Sequence, residues 1–257
     1  MYAIRKVLLY IKHRLSATSI YGAHSPFLFE LFNEVFNKPF LKEDRLAFET
    51  YRNSMLSNNH PILFEEHGAG SNQNRTMTIA EIAHKSSISL KKACLLINLT
   101  KFLKPVSILE FGTSTGVSAK ALRIAASEAQ ITTVEGCNEL ASYINRQWND
   151  PKTAIVSSTF DRFLASPLAA EKKWDLVYID GNHTYEATLL YYKTIKEMHS
   201  HNNTCIVLDD IYWSKGMTSA WKKIISDDSN TLTLDLFFSG IVFFDHRLSK
   251  QNLRINL

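Results

Sequence analysis

Beyond residue 105 the sequence alternates short β-rich segments with helical segments, and this alternation limits the possible folds more than any other feature. Five segments rich in apolar and β-branched residues predict strands, at 106–111, 131–135, 153–157, 174–180 and 204–209. Helical patterns follow them, at 117–127, 139–148, 160–164, 185–199 and 219–225. Strands that alternate with helices form a parallel sheet covered on both faces. We therefore predict an α/β fold with a doubly wound, Rossmann-like sheet.

The last part of the sequence departs from this alternation. Residues 231–238 and 241–245 predict two strands joined by Ser239-Gly240, with no helix between them. Two consecutive strands with so short a connection pair in antiparallel fashion. We expect a C-terminal antiparallel hairpin at the edge of the sheet.

The first 104 residues have a different, mainly helical pattern. Helices are predicted over 3–15, 41–56 and 88–103, with a further helix beginning at Pro26. We therefore divide the chain into a helical N-terminal extension and substrate cap, residues 1–104, and a ligand-binding domain, residues 105–257.

Composition narrows the class of protein. The net charge is only +4, from 29 basic and 25 acidic residues, so we expect no nucleic-acid partner. Cys94, Cys137 and Cys205 are scattered and form no CxxC pair, which argues against a zinc knuckle or a disulfide framework. No segment resembles a signal peptide or a membrane span of about 20 apolar residues. We expect a cytoplasmic protein with no membrane partner.

The turn after the first strand of this alternation carries two glycines, Gly112 and Gly116, where a helix begins. Glycines allow a tight turn, and free N–H groups at a helix N-terminus bind polar ligand atoms. The GxxxG spacing differs from the GxGxxG of dinucleotide folds, and no Gly-Lys-Ser/Thr follows as in a P-loop. The carboxylate of Glu110 suits an ammonium group better than a pyrophosphate.

Glu135 ends the next strand, about 20 residues beyond the glycine turn, where an acid accepts hydrogen bonds from ribose hydroxyls. Taken alone, it is equally a solvent-exposed residue in a strand-ending turn. Together with Glu110 and the glycine turn, it favours a nucleoside ligand with a positively charged amino-acid tail. S-adenosylmethionine (SAM) is such a ligand.

The pattern Glu110-x-Gly112-x-x-x-Gly116, followed by Glu135, resembles motifs I and II of class I SAM-dependent methyltransferases, over about residues 100 to 245. The resemblance implies that residues 105–257 form a SAM-binding methyltransferase domain. It also implies that Glu110 holds the methionine amino group and Glu135 the ribose. The other cofactor-binding residues that it implies are Gly112, Thr113, Ser114 and Gly116 at the turn, Ser158 and Thr159 at the adenine, and Asp180 near the methionine tail.

Three aspartates follow two neighbouring strands of the predicted sheet. Asp180 ends the fourth strand, and Asp209 and Asp210 end the fifth. Ligands of such sheets bind at the carboxyl ends of the strands, so these carboxylates are expected to converge. Their mutual repulsion is relieved by a hard divalent cation with oxygen ligands, such as Mg²⁺, Mn²⁺ or Ca²⁺. Alternatively, Asp209 or Asp210 caps the next element and Asp180 only touches the cofactor.

The sequence Asp-Gly-x-His-x-Tyr-Glu from Asp180, followed by the Asp209-Asp210 pair, resembles metal-dependent O-methyltransferases that act on sugars and other small molecules. The resemblance implies that Asp180, Asp209 and Asp210 bind Mg²⁺, which lowers the pKa of a substrate hydroxyl. Asp180 and His183 are the candidate catalytic residues, with His183 as general base or, equally, as a supporting hydrogen-bond partner. No Asn-Pro-Pro-Tyr-like motif follows the fourth strand, which disfavours base methylation of nucleic acids.

These observations predict a SAM-dependent methyltransferase, with O-methylation of a small hydroxylated substrate. Three alternatives remain: a methyltransferase of RNA or protein, a non-catalytic ligand-binding module on the same fold, and a nicotinamide-dependent oxidoreductase, which the GxxxG spacing disfavours. Residues 21–27 and the loop at 67–75 are candidate substrate-binding segments, or an ordinary helix cap and surface loop. The N-terminal helices are a candidate surface for homo-oligomer formation.

Overall fold

The computed structural model describes residues 2–17, 25–65, 74–170 and 172–257. Its strands are β1 (Pro61–Glu65), β2 (Asn74–Thr78), β3 (Ser107–Phe111), β4 (Gln130–Glu135), β5 (Thr153–Ser157), β6 (Leu176–Ile179), β7 (Cys205–Asp209), β8 (Leu232–Asp235), β9 (Ser239–Phe243) and β10 (Gln251–Arg254). Its α-helices are α1 (Tyr2–Leu15), α2 (Pro26–Leu31), α3 (Lys42–Leu56), α4 (Ile79–Ser86), α5 (Leu90–Leu103), α6 (Val117–Ala125), α7 (Asn138–Gln147), α8 (Phe160–Leu164), α9 (Pro167–Ala170), α10 (Tyr185–Met198) and α11 (Lys215–Ile225). A π-helical turn, Phe32–Phe36, continues α2.

The main sheet has the strand order β10-β8-β9-β7-β6-β3-β4-β5. The five strands from β3 to β7 all run parallel to one another, whereas β9 runs antiparallel to both β7 and β8. The predicted doubly wound sheet and its C-terminal antiparallel hairpin are therefore confirmed, but the predicted position of the hairpin at the edge is wrong, because β10 pairs with β8 and forms that edge. Because the five parallel strands point the same way, their carboxyl ends lie along one edge, which is where the loops that follow them meet.

Helices cover both faces of this sheet. Successive side chains of a strand point to opposite faces, so Ile108 belongs to one buried cluster and Leu109 to another. The cluster around Ile108 includes Phe48 of α3, Ile79 of α4 and Ile97 of α5. The helices of the predicted N-terminal extension and the sheet therefore share one hydrophobic core, which fixes the position of α5 relative to the carboxyl ends of the strands.

The first part of the chain holds elements that the sequence did not predict. β1 and β2 form a separate antiparallel pair, in which Ile62 lies opposite Met77. α4 begins with a capping box, because Glu81 N donates to Thr78 Oγ1 at 3.1 Å and Thr78 N donates to Glu81 Oε2 at 2.7 Å. The candidate substrate-binding positions 21–24 and 67–73 lie outside the described residues.

α1 is attached to the C-terminal half of the sheet by polar contacts. His13 Nε2 donates to the backbone oxygen of Asp235 at 3.0 Å and lies 3.1 Å from Asp235 Oδ1. Arg5 Nη2 donates to Thr218 Oγ1 at 2.9 Å. The outer face of α1 exposes the apolar side chains of Ile4, Val7, Leu8, Tyr10, Ile11 and Leu15. Homo-oligomer formation through this face stays a prediction. Within the described ranges, no helix has both the length and the apolar character of a membrane span.

The pairing of His13 with Asp235 makes stability depend on pH. Burial lowers the pKa of His13, but the hydrogen bonds and charge of Asp235 outweigh it, and the net pKa is raised above its ordinary value. The stabilisation is therefore fully present below the unfolded-state pKa of about 6.5 and is lost as pH rises through the folded-state value. We expect a His13→Gln variant to lose more melting temperature at pH 6 than at pH 8, measured by differential scanning fluorimetry.

His84 provides the matched control, because it is an exposed histidine on α4. A His84→Gln variant should follow the wild-type pH profile. Equal losses for His13→Gln at both pH values would contradict the assignment of this stabilisation to the His13–Asp235 pair.

Candidate active site

A cavity of about 760 Å³ opens at the carboxyl ends of the parallel strands. It brings together most of the residues that the sequence singled out. The lining includes residues 85–89 before α5, Lys92 within α5, residues 112–115 after β3, Glu135 and Gly136 where β4 ends, residues 159–161 at α8, residues 180–183 after β6, Asp209 and Asp210 where β7 ends, and Trp213 beyond them. Three of the predicted cofactor-binding residues, Glu110, Gly116 and Ser158, do not line it.

The turn after β3 is held tightly between the two neighbouring strands. Gly112 has a φ of +102°, and a Cβ atom built on it would lie 2.0 Å from the backbone oxygen of Asp180. Gly112 N donates to Val134 O at 3.0 Å, and Asp180 N donates to Phe111 O at 2.8 Å. Only glycine meets both conditions, the positive φ and the contact with the β6 end. The turn is therefore fixed by its surroundings and presents its backbone to the cavity.

The carboxylate of Glu135 is held in the cavity by backbone donors. Ser114 N donates to Oε2 at 2.8 Å, and Cys137 N donates to Oε1 at 2.9 Å. An ionised carboxylate has about four acceptor positions, more than these two backbone bonds fill. Glu135 thus presents two oriented oxygens, a geometry that suits the neighbouring hydroxyls of a ribose.

Glu110 lies beneath this turn and is completely buried. The hydroxyl of Thr133 donates to its Oε2, and the hydroxyl of Thr113 lies 2.6 Å from that of Thr133. Among the described residues, its Oε1 has no hydrogen-bond partner. Burial raises the pKa of Glu110 to about 8, against the hydrogen bonds of Ser118 and Thr133, and the charge of Asp180 adds to the rise. A cationic group nearby would favour the ionised form of this buried carboxyl, so contact with the methionine ammonium stays a prediction.

Gly116 contributes to packing behind the turn. It has a φ of +75°, and a Cβ atom on it would lie 2.7 Å from the hydroxyl of Tyr51. Tyr51 donates to Thr115 O at 3.0 Å and accepts from Trp148 Nε1 at 2.8 Å. Gly116 therefore lets α3 approach and brace the turn, and its predicted role toward the cofactor remains a prediction.

The predicted adenine end lies at the start of α8. Ser158 N donates to Glu135 O at 2.9 Å, and its hydroxyl lies 2.9 Å from Thr159 O. Thr159, Phe160 and Asp161 line the cavity. The sequence interpretation missed Asp161, although an acid in the first turn of a helix that follows a strand was a usable signal. The wall thus offers an aromatic ring and a carboxylate.

Asp180 and His183 form a pair at the other side of the cavity. His183 Nε2 lies 3.6 Å from Asp180 Oδ1, and Tyr178 Oη lies 3.4 Å from Asp180 Oδ2. Burial lowers the pKa of His183, but the hydrogen bond and charge of Asp180 outweigh it, and the net pKa is raised. The imidazole is therefore placed to accept a proton, and the neighbouring carboxylate stabilises its charged form.

Asp209 and Asp210 are bridged by a lysine that the sequence interpretation missed. Lys92 Nζ donates to Asp209 Oδ2 at 2.6 Å and to Asp210 Oδ1 at 2.9 Å. The other oxygen of Asp209 accepts from Ser239 Oγ at 2.7 Å, and Asp209 is only 3% exposed. Burial lowers the pKa of Lys92, but the charges of the two aspartates raise it by more, so the ammonium form is favoured.

The predicted metal site at Asp180, Asp209 and Asp210 is not confirmed. The parts of the chain that the structure describes hold no group of three or more His, Cys, Asp or Glu side chains arranged to bind a metal. Mg²⁺ requires nearly octahedral oxygen ligands at about 2.1 Å. Here the ammonium of Lys92 already pairs with the carboxylates of Asp209 and Asp210. As these side chains stand, they do not fit a divalent cation.

The fold is similar to that of class I methyltransferases, and comparison with known proteins agrees with this similarity. Residues 109–211 match the family model of a methyltransferase domain. No protein of curated function matches the sequence significantly. Many solved structures have a similar fold.

The O-methyltransferase of Bacillus cereus, in complex with SAH, is 17% identical over 62% of this chain and 83% of its own, with a TM-score of 0.53. An SAH-bound methyltransferase of Podospora anserina is 15% identical over 81% of this chain and 98% of its own, with a TM-score of 0.55. The O-methyltransferase TomG of Streptomyces achromogenes, in complex with SAM, is 15% identical over 62% of this chain and 82% of its own, with a TM-score of 0.51. The predicted resemblance to class I SAM-dependent methyltransferases is thus confirmed.

Proposed function

We propose that this protein is a SAM-dependent methyltransferase that transfers a methyl group to an oxygen atom of a small hydroxylated molecule. The observation that carries the proposal is the placement of Glu135 and of the Asp180–His183 pair in one cavity at the carboxyl ends of the strands. Glu135 suits the nucleoside part of SAM, and the Asp180–His183 pair suits deprotonation of an acceptor. The O-methyltransferases of similar fold support the same assignment.

Different residues at the cavity are proposed to contact the ribose, the methionine ammonium and the adenine of SAM. Glu135 would accept hydrogen bonds from the ribose hydroxyls, and the buried Glu110 would attract the methionine ammonium from below the turn. Asp161 would accept a hydrogen bond from the amino group of the adenine. When bound, SAM supplies an electrophilic methyl group on a positively charged sulfur.

His183 and Asp180 would handle the proton of the acceptor. A hydroxyl is a weak nucleophile until its proton is lost, so His183 would take that proton as the new O–C bond forms. The S–C bond breaks at the same time, and its electron pair stays on sulfur. Asp180, 3.6 Å from the ring, would stabilise the resulting imidazolium. No step of this scheme is assigned to a metal ion, because the side chains do not fit one.

The acceptor is proposed to be a small molecule rather than RNA or protein. The cavity has a volume of about 760 Å³, within the range of small-ligand sites. The indole of Trp213 lies at its rim, with Lys6 Nζ 5.7 Å from the centre of the ring. Nucleic-acid binding that persists at high salt would favour the alternative. A cytoplasmic location is also proposed, and the free thiols of Cys94, Cys137 and Cys205 suit a reducing compartment.

Replacement of Glu135 tests the cofactor assignment. We expect Glu135→Ala to weaken SAH binding by roughly 1–3 kcal/mol, about 5- to 150-fold in Kd, because the charge-assisted hydrogen bonds to ribose are lost. Glu135→Gln should lose less, since one acceptor oxygen remains. Isothermal titration calorimetry with SAH measures both effects.

Glu128→Ala is the matched control, because Glu128 pairs with Lys152 at the surface, outside the cavity. It should bind SAH as the wild type does. Absence of SAH binding to the wild type, or binding of NADH in its place, would overturn the proposed function.

A further inference from the structure

The ammonium group of Lys92 lies where the sequence predicts a divalent cation. Its Nζ atom is 2.6 Å from Asp209 Oδ2 and 2.9 Å from Asp210 Oδ1, and all three side chains line the same cavity as Asp180. One positive group therefore joins the two carboxylates that the predicted metal would join. The cation of this site is built into the chain.

The position of Lys92 in α5 is unfavourable for the helix itself. Ser89 is the N-cap residue, and its hydroxyl accepts from Lys92 N at 3.3 Å, so Lys92 lies in the first turn. The positive end of the helix dipole repels a cation there, and a capping box would carry Glu or Gln at this position. The two aspartates offset this repulsion. Lys92 is therefore explained by the site rather than by the helix.

Asp209 is poorly placed for a metal while Lys92 is charged. It is buried, and its two oxygens accept from Lys92 and from Ser239 Oγ. A divalent cation on the same oxygens would face the ammonium at short range and would have to displace it. A divalent cation and a charged Lys92 therefore cannot bind these carboxylates at the same time.

We propose that Lys92 takes the place of the divalent cation, so that this site binds the acceptor oxygen through a lysine ammonium and works without a metal. The proposal rests on the proposed methyltransferase function. An ammonium has three donors, and two of them bond to Asp209 and Asp210 among the described residues. The third is free for the acceptor. As His183 takes the hydroxyl proton, the developing negative charge on oxygen is stabilised by Lys92, and the methyl group passes from sulfur to that oxygen.

Titration with Mn²⁺ tests the proposal without knowledge of the acceptor. Wild-type protein loaded with SAH should bind no Mn²⁺ at the millimolar level, as measured by calorimetry and by the electron paramagnetic resonance signal of free Mn²⁺. Lys92→Met keeps a side chain of similar length and removes the charge. This variant should bind about one Mn²⁺, because the carboxylates then lack their cation. Lys92→Arg, which keeps the charge, should bind none.

Lys91 provides the control, because it is the neighbouring lysine of α5 and donates instead to Leu257 O. Lys91→Met should behave as the wild type in the Mn²⁺ titration. Stoichiometric Mn²⁺ binding by the wild type would overturn the proposal. A Lys92→Met variant that folds and binds SAH but binds no Mn²⁺ would also overturn it. If Lys92→Met does not fold, the wild-type titration alone decides. If the wild type does not bind SAH, the methyltransferase assignment is refuted instead. Failure of the Lys92 proposal and failure of the methyltransferase assignment are therefore distinguishable.

Activity gives a second readout once an acceptor is found by SAH release from a panel of phenols and polyols. A chelator should leave wild-type kcat unchanged. Lys92→Met should lower kcat by about 10²–10³-fold, with SAH affinity nearly unchanged, because a donor to the reacting oxygen is lost. Lys92→Arg should recover part of that loss. Inactivation of the wild type by chelator, with recovery on addition of Mg²⁺, would overturn the proposal.

Discussion

A Gly112→Ala variant is expected to lose SAH binding together with several kcal/mol of stability. The added Cβ atom would lie 2.0 Å from the backbone oxygen of Asp180 and 2.9 Å from its carbonyl carbon, and backbone atoms at a strand end cannot move aside cheaply. The φ of +102° adds strain of about 1–3 kcal/mol for any residue with a Cβ atom. Relief of the clash requires the turn to move away from β6, and that turn forms the floor of the cavity. Urea unfolding and calorimetry with SAH measure the two effects.

Gly216 is the matched glycine for this experiment. It lies in α11, and the nearest atoms to a Cβ atom there are 3.4 and 3.5 Å away, which is ordinary contact. We expect Gly216→Ala to keep SAH binding and to gain stability of about 0.5–1 kcal/mol, because alanine favours a helix more than glycine does. If Gly112→Ala is as stable as the wild type and binds SAH equally well, the turn is not constrained in the way described above.

The central sheet could be predicted from the sequence because its parallel strands are buried on both faces. Such strands read as continuous apolar segments, and the predicted strand at 106–111 corresponds to β3 at Ser107–Phe111. β10 gave no such signal, because Gln251–Arg254 is polar and pairs with β8 through its backbone. The edge strand is thus specified by its neighbour rather than by its own residues.

The site was predictable to the extent that it follows from strand ends. Glu135, Asp180 and Asp209 each lie where a parallel strand ends, and the topology of the sheet brings them together. Lys92 could not be placed in the same way, since its contact with Asp209 joins residues 117 positions apart in sequence. Only the tertiary packing of α5 on the sheet decides it. The metal was predicted from the carboxylates alone, and the residue that neutralises two of them lies in another part of the chain.

One trace of Lys92 was nevertheless visible in the sequence. Lys91 and Lys92 follow Ser89 in the first turn of a predicted helix, where acidic residues are favoured. A residue that opposes local preference indicates a tertiary contact that overrides it. Thr78 and Glu81 are a signal of the opposite kind, because a capping box follows local preference and predicts the start of α4.

An Asp235→Ala variant is expected to lose about 3–5 kcal/mol of stability, the loss typical of removing one partner from a buried ion pair. Asp235 is 2% exposed, and it accepts from Tyr212 Oη at 2.6 Å and from Trp221 Nε1 at 3.2 Å, besides its pairing with His13. All three donors, of which His13 and Trp221 are buried, would lose their carboxylate acceptor, and α1 would lose its main polar attachment. Urea unfolding of the full chain measures the change. Asp228→Ala is the control, since the Asp228 side chain is 96% exposed and pairs with Lys250 at the surface, and little change is expected there. Equal losses for the two variants would show that the buried cluster does not stabilise the fold.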